Sequence, residues 1–367
     1  MKRIWNVIAL GAIIVIGLGT FAVNATETTA EWVLKVGSNP TVWKDRTVDV
    51  SYSMQDAVNK QFEVTLEESR PTTNLSYFEE GLRYRERLSG DERKIHRQMN
   101  RLTFAQSIQT GRGFLGIGQR GNDELVVFKQ LDGESISTYT FEGKDSQISD
   151  VITGFWAGLF VQKNELNLIY REGHDGEERT MLATFNEAMN DVTVSEIKMD
   201  KGFVSHVFGT NRFYNTNMLM EKQDTRFVPV GVGGYESVIE YGQTSYNQTD
   251  LSGLYAYDTK ERQVVKLLSD KEFWTSTIVD NELIALTAEG DEVVIDLNTL
   301  KQTTRKTLEG SVKEAYYLDN LLYQVRSIKD GVIIDVYEDG EQISSATVLA
   351  ENDEAKAMLN HATFYVR

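Results

Sequence analysis

A unit of strand, tight turn and strand recurs along this chain, and no other feature limits its fold as much. Gly154–Tyr170 and Glu272–Leu286 each place an aromatic pair (Phe155-Trp156, Phe273-Trp274), then a β-rich run, then Asn-Glu-Leu, then a second apolar run. Ser311–Val325 repeats the later part, with Asp319-Asn320-Leu321 at its turn. Gly202–Leu219 is a looser copy around Thr210-Asn211-Arg212, and Gly113–Phe128 turns at Gly121-Asn122-Asp123. Asparagine suits such turns because it tolerates the positive φ that a tight hairpin demands. Asn122, Asn164, Asn211, Asn281 and Asn320 are separated by 42, 47, 70 and 39 residues, so three of the four spacings lie near a common period. The longest reads as one unit with an insertion.

Each unit also ends alike. Leu254–Leu268 and Val293–Leu308 read as strand, turn, strand; Val332–Val348 turns at Glu338-Asp339-Gly340, and Leu182–Ile197 turns around Asn186 to Asn190. Four short strands in roughly 40 residues predict a β-propeller blade. The segment Gly253-Leu254-Tyr255-Ala256-Tyr257-Asp258-Thr259 resembles the repeat of quinoprotein-type and related propellers, a resemblance covering roughly residues 100–350. The family's tryptophan-docking pattern and the Trp-Asp dipeptide are absent, so no subfamily is implied. The resemblance implies an all-β fold, a β-propeller of about six or seven four-stranded blades. In such folds a terminal strand often completes a blade begun at the other end, which is the role expected of Ala362–Arg367. The alternative architecture is an array of β-sandwiches. Upstream, Thr47–Tyr52, Gln61–Leu66 and Leu75–Leu88 are candidate strands, while Met54–Lys60 and Asp91–Gln98 have helical composition.

The first residues carry a different signal. Met1-Lys2-Arg3 precedes an apolar run from Ile4 to Val23 in which Asn6 is the only strongly polar side chain. As a helix those residues would span about 30 Å, the thickness of a bilayer's hydrocarbon core. The basic start directs the rest of the chain outward. Val23-Asn24-Ala25 is an acceptable cleavage site, so residues 1–25 are expected to be a signal peptide or a membrane anchor, with 26–39 as a tether and 40–367 as the extracytoplasmic domain. Zero cysteines exclude a lipid-modified lipoprotein, disulfides and thiolate metal sites.

A net charge of -17 speaks against nucleic acid, whose phosphates need Lys and Arg, and against peripheral adsorption to anionic lipid. The expected partners are the membrane, through the N-terminal helix, and a protein, peptide or envelope component.

No catalytic constellation stands out. Gly111-Arg112-Gly113-Phe114-Leu115-Gly116 matches G-x-G-x-x-G, but a strand follows it where a dinucleotide site needs a helix. G-x-S-x-G is absent; His96, His174, His206 and His361 are dispersed; the Asp-Gly turns do not fit a calcium loop. No catalytic residue, metal ligand or cofactor is therefore assigned. The candidate ligand-binding residues are aromatic. Trp156, Phe203 and Trp274 open the innermost strands of their blades. Tyr235, Tyr241 and Tyr246 lie with Gly231, Gly233, Gly234 and Asn247 in the insertion, about Gln223 to Asp250, a composition typical of recognition loops. The function expected is a binding or interaction module at the cell envelope. The alternatives are a secreted propeller enzyme acting on glycans and an accessory subunit of a membrane complex.

Overall fold

The computed structural model describes residues 30–53, 60–72, 97–110, 112–174, 177–199, 202–208, 211–212, 225–240, 243–248, 251–269, 273–308 and 314–367. The expected N-terminal helix, the candidate strand Leu75–Leu88 and Tyr241 lie outside these residues. The chain divides into two compact units, residues 1–84 with 310–367, and residues 85–309.

The first unit opens with β1 (Trp32–Ser38), β2 (Val48–Tyr52), β3 (Lys60–Val64) and β4 (Ser69–Pro71). Most of the segment expected as a tether is thus part of the fold. Trp32, Leu34 and Val36 alternate inward along β1, and Trp32 and Leu34 are buried.

The second unit holds four sheets in chain order. The first contains β5 (Thr103–Thr110), β6 (Gly113–Arg120), β7 (Glu124–Leu131) and β8 (Ser137–Glu142). Helix α1 (Ser146–Thr153), capped by the Asp145 carboxylate on the Gln147 N–H, leads into the next. That sheet contains β9 (Phe155–Gln162), β10 (Glu165–His174), β11 (Glu177–Phe185) and β12 (Val192–Glu196). Next come β13 (Phe203–Val207), the short β14 (Asn211–Arg212), β15 (Phe227–Gly233), the hairpin β16 (Tyr235–Glu240) and β17 (Gln243–Gln248), β18 (Gly253–Asp258) and β19 (Gln263–Ser269). The third sheet runs β13-β15-β18-β19; β14 instead pairs with β5 and extends the first sheet beyond it. The last is β20 (Phe273–Val279), β21 (Glu282–Thr287), β22 (Asp291–Asp296) and β23 (Gln302–Lys306). Apolar residues from adjacent sheets form shared cores. Ile117 and Leu168 lie in one, Phe160 and Val230 in the next, and Leu254 and Leu283 in the third.

The chain then returns to the first unit with β24 (Glu314–Leu318), β25 (Leu321–Ile328), β26 (Gly331–Glu338), β27 (Glu341–Ala350), helix α2 (Asp353–Met358) and β28 (Ala362–Val366). Strands β24 to β27 form one sheet, with β1 as its fifth, outer strand. The other sheet is β28-β2-β3-β4, so the terminal strand does complete a sheet begun near the other end of the chain. Trp32 packs against Phe62 and Phe364 in the core they share.

The described residues therefore form six antiparallel sheets of four or five strands plus one hairpin, which fits a propeller-like all-β fold. The turns follow the expected chemistry. Lys163-Asn164, Asp319-Asn320 and Asp339-Gly340 each hold two successive positive φ values, the type I′ geometry that matches strand twist. Two expectations need correction. The turn holding Asn122 joins a second strand to a third, not a first to a second. Asn211 is not at a hairpin turn but in β14, because the link from β13 to β15 is long enough to reach across to β5.

One regularity cuts across all six sheets. Each carries at least one arginine–carboxylate pair: Arg70–Glu63, Arg112–Asp132, Arg171–Glu178, Arg226–Asp258, Arg305–Glu292 and Arg326–Asp335. In four of them the carboxylate (Glu63, Asp258, Glu292, Asp335) is buried. A buried carboxylate needs such a partner to remain charged.

Candidate functional site: the bulged strand ends of the second unit

The first strand of every sheet in the second unit carries an extra residue near its start. In β5 the pairing jumps from Thr103↔Gln119 to Gln106↔Ile117. In β9 it skips Ala157, in β13 Ser205 and in β20 Trp274. The equivalent strands of the first unit, β24 and β28, pair with their neighbours without a shift. A bulge leaves one residue out of the ladder and re-aims the side chains around it.

These bulges bring aromatic rings to the surface. Phe104 is 75% exposed, Phe155 57% and Trp274 53%, the highest values among the exposed large hydrophobic residues. Phe104 also adopts φ 51, a left-handed conformation that costs energy for a bulky side chain and persists only where its surroundings enforce it. Three of the four strand openings meet at one end. The Gln106 side-chain amide donates to the Trp156 carbonyl at 3.5 Å, which ties the opening of β5 to that of β9. The Arg171 guanidinium lies 4.2 Å from the Phe155 ring and 4.2 Å from the Phe203 ring, which ties β9 to β13. Arg171 also donates to Glu178 at 2.9 Å, so its charge is compensated and its plane is fixed between the two rings. Trp274 occupies the corresponding place in the fourth sheet.

The hairpin β16–β17 leaves the third sheet at the same end. Phe203 is paired with Gly233, and the hairpin begins two residues later at Tyr235. Tyr235 faces Gln248 and Tyr246 faces Ser237 in its register. The insertion thus lies between a second and a third strand, as expected, but it is shorter. Residues 227–233 form β15, a fully buried core strand. Gly231 serves packing there, since a Cβ would stand 2.0 Å from the His206 ring.

The sequence-based candidates separate on this frame. Phe203 and Trp274 lie at strand openings, and Tyr235 and Tyr246 lie on the hairpin. Trp156 is 6% exposed, packs between sheets, and donates its indole N–H to the Val151 carbonyl at 2.7 Å. Its neighbour Phe155 is the ring that meets solvent. Phe104, Phe155 and Arg171 were not among the candidates. The aromatic-pair motif held a signal for Phe155; Phe104 and Arg171 had none.

An open apolar surface with fixed rings suits recognition. Aromatic rings supply large contact area at low entropic cost and accept cations, methylenes or other rings on their faces.

No protein-family model matches the chain, and no curated protein matches it. Among solved structures, it is similar to a prolyl endopeptidase at 10% identity and TM-score 0.32, over 80% of this chain and 51% of that one. It is similar to polysaccharide lyase Uly1 at 10% identity and TM-score 0.32, over 67% of this chain and 57% of that one. A third likeness is to Saccharomyces cerevisiae Sqt1, at 10% identity and TM-score 0.25, over 85% and 84% of the two chains. The chain spans about half the length of the prolyl endopeptidase.

Proposed function

We propose that this protein is a propeller-type binding module on the outer side of a membrane, held there by its apolar N-terminal run. Its six sheets are the blades, and it binds a protein, peptide or envelope component at the bulged end of the second unit. The observation that carries the reading is the set of four bulged first strands, which turn Phe104, Phe155 and Trp274 toward solvent. Apolar groups gathered into one exposed patch mark interaction sites, and three of these strand openings meet at one end. The apolar run Ile4–Val23 behind Lys2-Arg3 supports the location.

The test is site-specific photocrosslinking in the cells that make the protein. A crosslinker at position 104 or 274 should trap a discrete adduct. One at exposed Asn298, on a turn at the opposite end of the fourth sheet, should not. Adducts at 298 alone, or at none of the three, would overturn the assignment of the binding end.

A further inference from the structure

We infer that the margin of the first unit where β1 meets β27 and α2 is the surface that faces the membrane, its partner being the headgroup layer of the bilayer. The inference rests on the anchored reading above and adds which side of the first unit lies nearest the lipid.

Chain length sets the distance. The apolar run ends at Val23, and the fold begins at Ala30, which is buried. Only six residues, 24–29, intervene. Whatever their conformation, that stretch reaches at most about 25 Å. The fold has no slack to add beyond it. Glu31 donates its N–H to the Asn352 side chain at 3.4 Å, and its carbonyl accepts from the Glu351 N–H at 3.0 Å. The next residue, Trp32, pairs with Ala350 and is 1% exposed, locked against Phe62 and Phe364. Peeling β1 away to lengthen the tether would expose this indole and Leu34. The chain therefore enters the fold at a fixed point, the junction of β27 and α2.

The chemistry of that point agrees with apposition rather than insertion. Glu31, Glu351, Asp353 and Glu354 surround it, with Lys35 and Lys60 paired to Glu351 and Glu354. An acidic, ion-paired margin is not drawn into anionic lipid, so the short tether alone sets the stand-off. The far end of the same sheet lies the length of β27 from that entry point. From Glu351 to Glu341 the chain runs the length of β27, about 33 Å at strand rise.

The natural sequence has no cysteine, so one engineered thiol gives one label. The full chain, as Glu351→Cys or as Glu341→Cys, is purified from its membranes, labelled with a donor dye and reconstituted into vesicles carrying a headgroup acceptor. Both sites are exposed. Energy transfer should be at least about twofold greater from position 351 than from 341, given their separation along β27. A Gly/Ser insert of thirty residues after Ala25 should abolish the difference. Equal or reversed transfer in protein that floats with the vesicles would overturn this assignment and leave the anchor standing. Protein that begins at Thr26 and does not float would remove the anchored reading and this inference with it.

Discussion

At Asp258 two effects oppose each other, and their balance can be measured. Burial disfavours the charged carboxylate. The bidentate Arg226 guanidinium, at 2.6 and 3.1 Å, and the N–H groups of Lys260 and Glu261 favour it. The net result holds the Asp258 pKa below the usual carboxylate range, with the hydrogen bond from Arg226 as the leading cause. A depressed folded pKa adds stability that is present above the unfolded value and lost as pH falls through the folded one. The stability gap between wild type and Asp258→Asn should therefore hold from pH 6 down to about 4, the unfolded carboxyl's value, and shrink below it as pH falls through the lowered folded one. Urea midpoints across that range check it; a pH-independent gap would contradict it. Arg226→Met, which strands the buried carboxylate, should destabilise the fold at pH 7. The exposed rings behave in the opposite way. Phe104→Ala and Trp274→Ala should each change stability by less than about 0.5 kcal/mol, whereas Trp156→Ala should cost about 3–5 kcal/mol. If Trp274→Ala proves as costly as Trp156→Ala, its ring is part of a core and not of a binding surface.

Among the elements, the glycines of strands show which backbones cannot move. A Cβ on Gly331 would lie 2.0 Å from the Val348 carbonyl oxygen, a backbone atom of the paired strand β27. The atoms nearest a Cβ on Gly231 belong to the ring of His206, a side chain at an exposed position. Gly331→Ala should therefore destabilise by several kcal/mol and Gly231→Ala by markedly less; thermal melts of the two variants decide it. The hairpin β16–β17 belongs at this scale too. Strands β15 and β18 pair directly from Phe227↔Asp258 to Val232↔Gly253, so their ladder does not depend on it. Replacing Tyr235–Gln248 with Asn-Gly should leave the melt nearly unchanged while altering any crosslink at position 104 or 274. A collapse of the melt would show instead that the hairpin holds the third sheet together. The turn signals were legible because positive φ at Lys163-Asn164 and Asp319-Asn320 has a direct cost in residue type. The destination of Asn211 was not, because nothing local to it tells that β5 has an open edge.

For the whole molecule, the terminal strand matters most. Phe364 is fully buried beside Trp32, and β28 supplies every backbone partner of β2 on one side. Removing residues 361–367 should therefore unfold the first unit, and Phe364→Ala should cost about 3–5 kcal/mol. Differential scanning calorimetry would show the first unit's transition lowered or lost. A melt unchanged by the truncation would mean that β28 is an accessory strand. The pairing also joins residues more than 300 positions apart, such as Val48 and Val366, so closing it carries a large loop-closure entropy.

What the sequence by itself determined is what short-range chemistry can encode. Strand runs follow from alternating and continuous apolar residues, hairpins from Asn and Asp-Gly turns, and the repeat from their spacing. Which side chain meets solvent was decided only in three dimensions. Phe155-Trp156 and Phe273-Trp274 are the same dipeptide at equivalent strand openings. In β9 the bulge falls after the pair, at Ala157, so the tryptophan turns inward and the phenylalanine outward. In β20 it falls on Trp274 itself, and the tryptophan turns outward. A one-residue shift in pairing reverses the faces of a strand, and the partner strand sets that shift. The arginine–carboxylate brace in each sheet has the same origin. Its members are 7 to 32 residues apart, and only the register of the ladders brings them together.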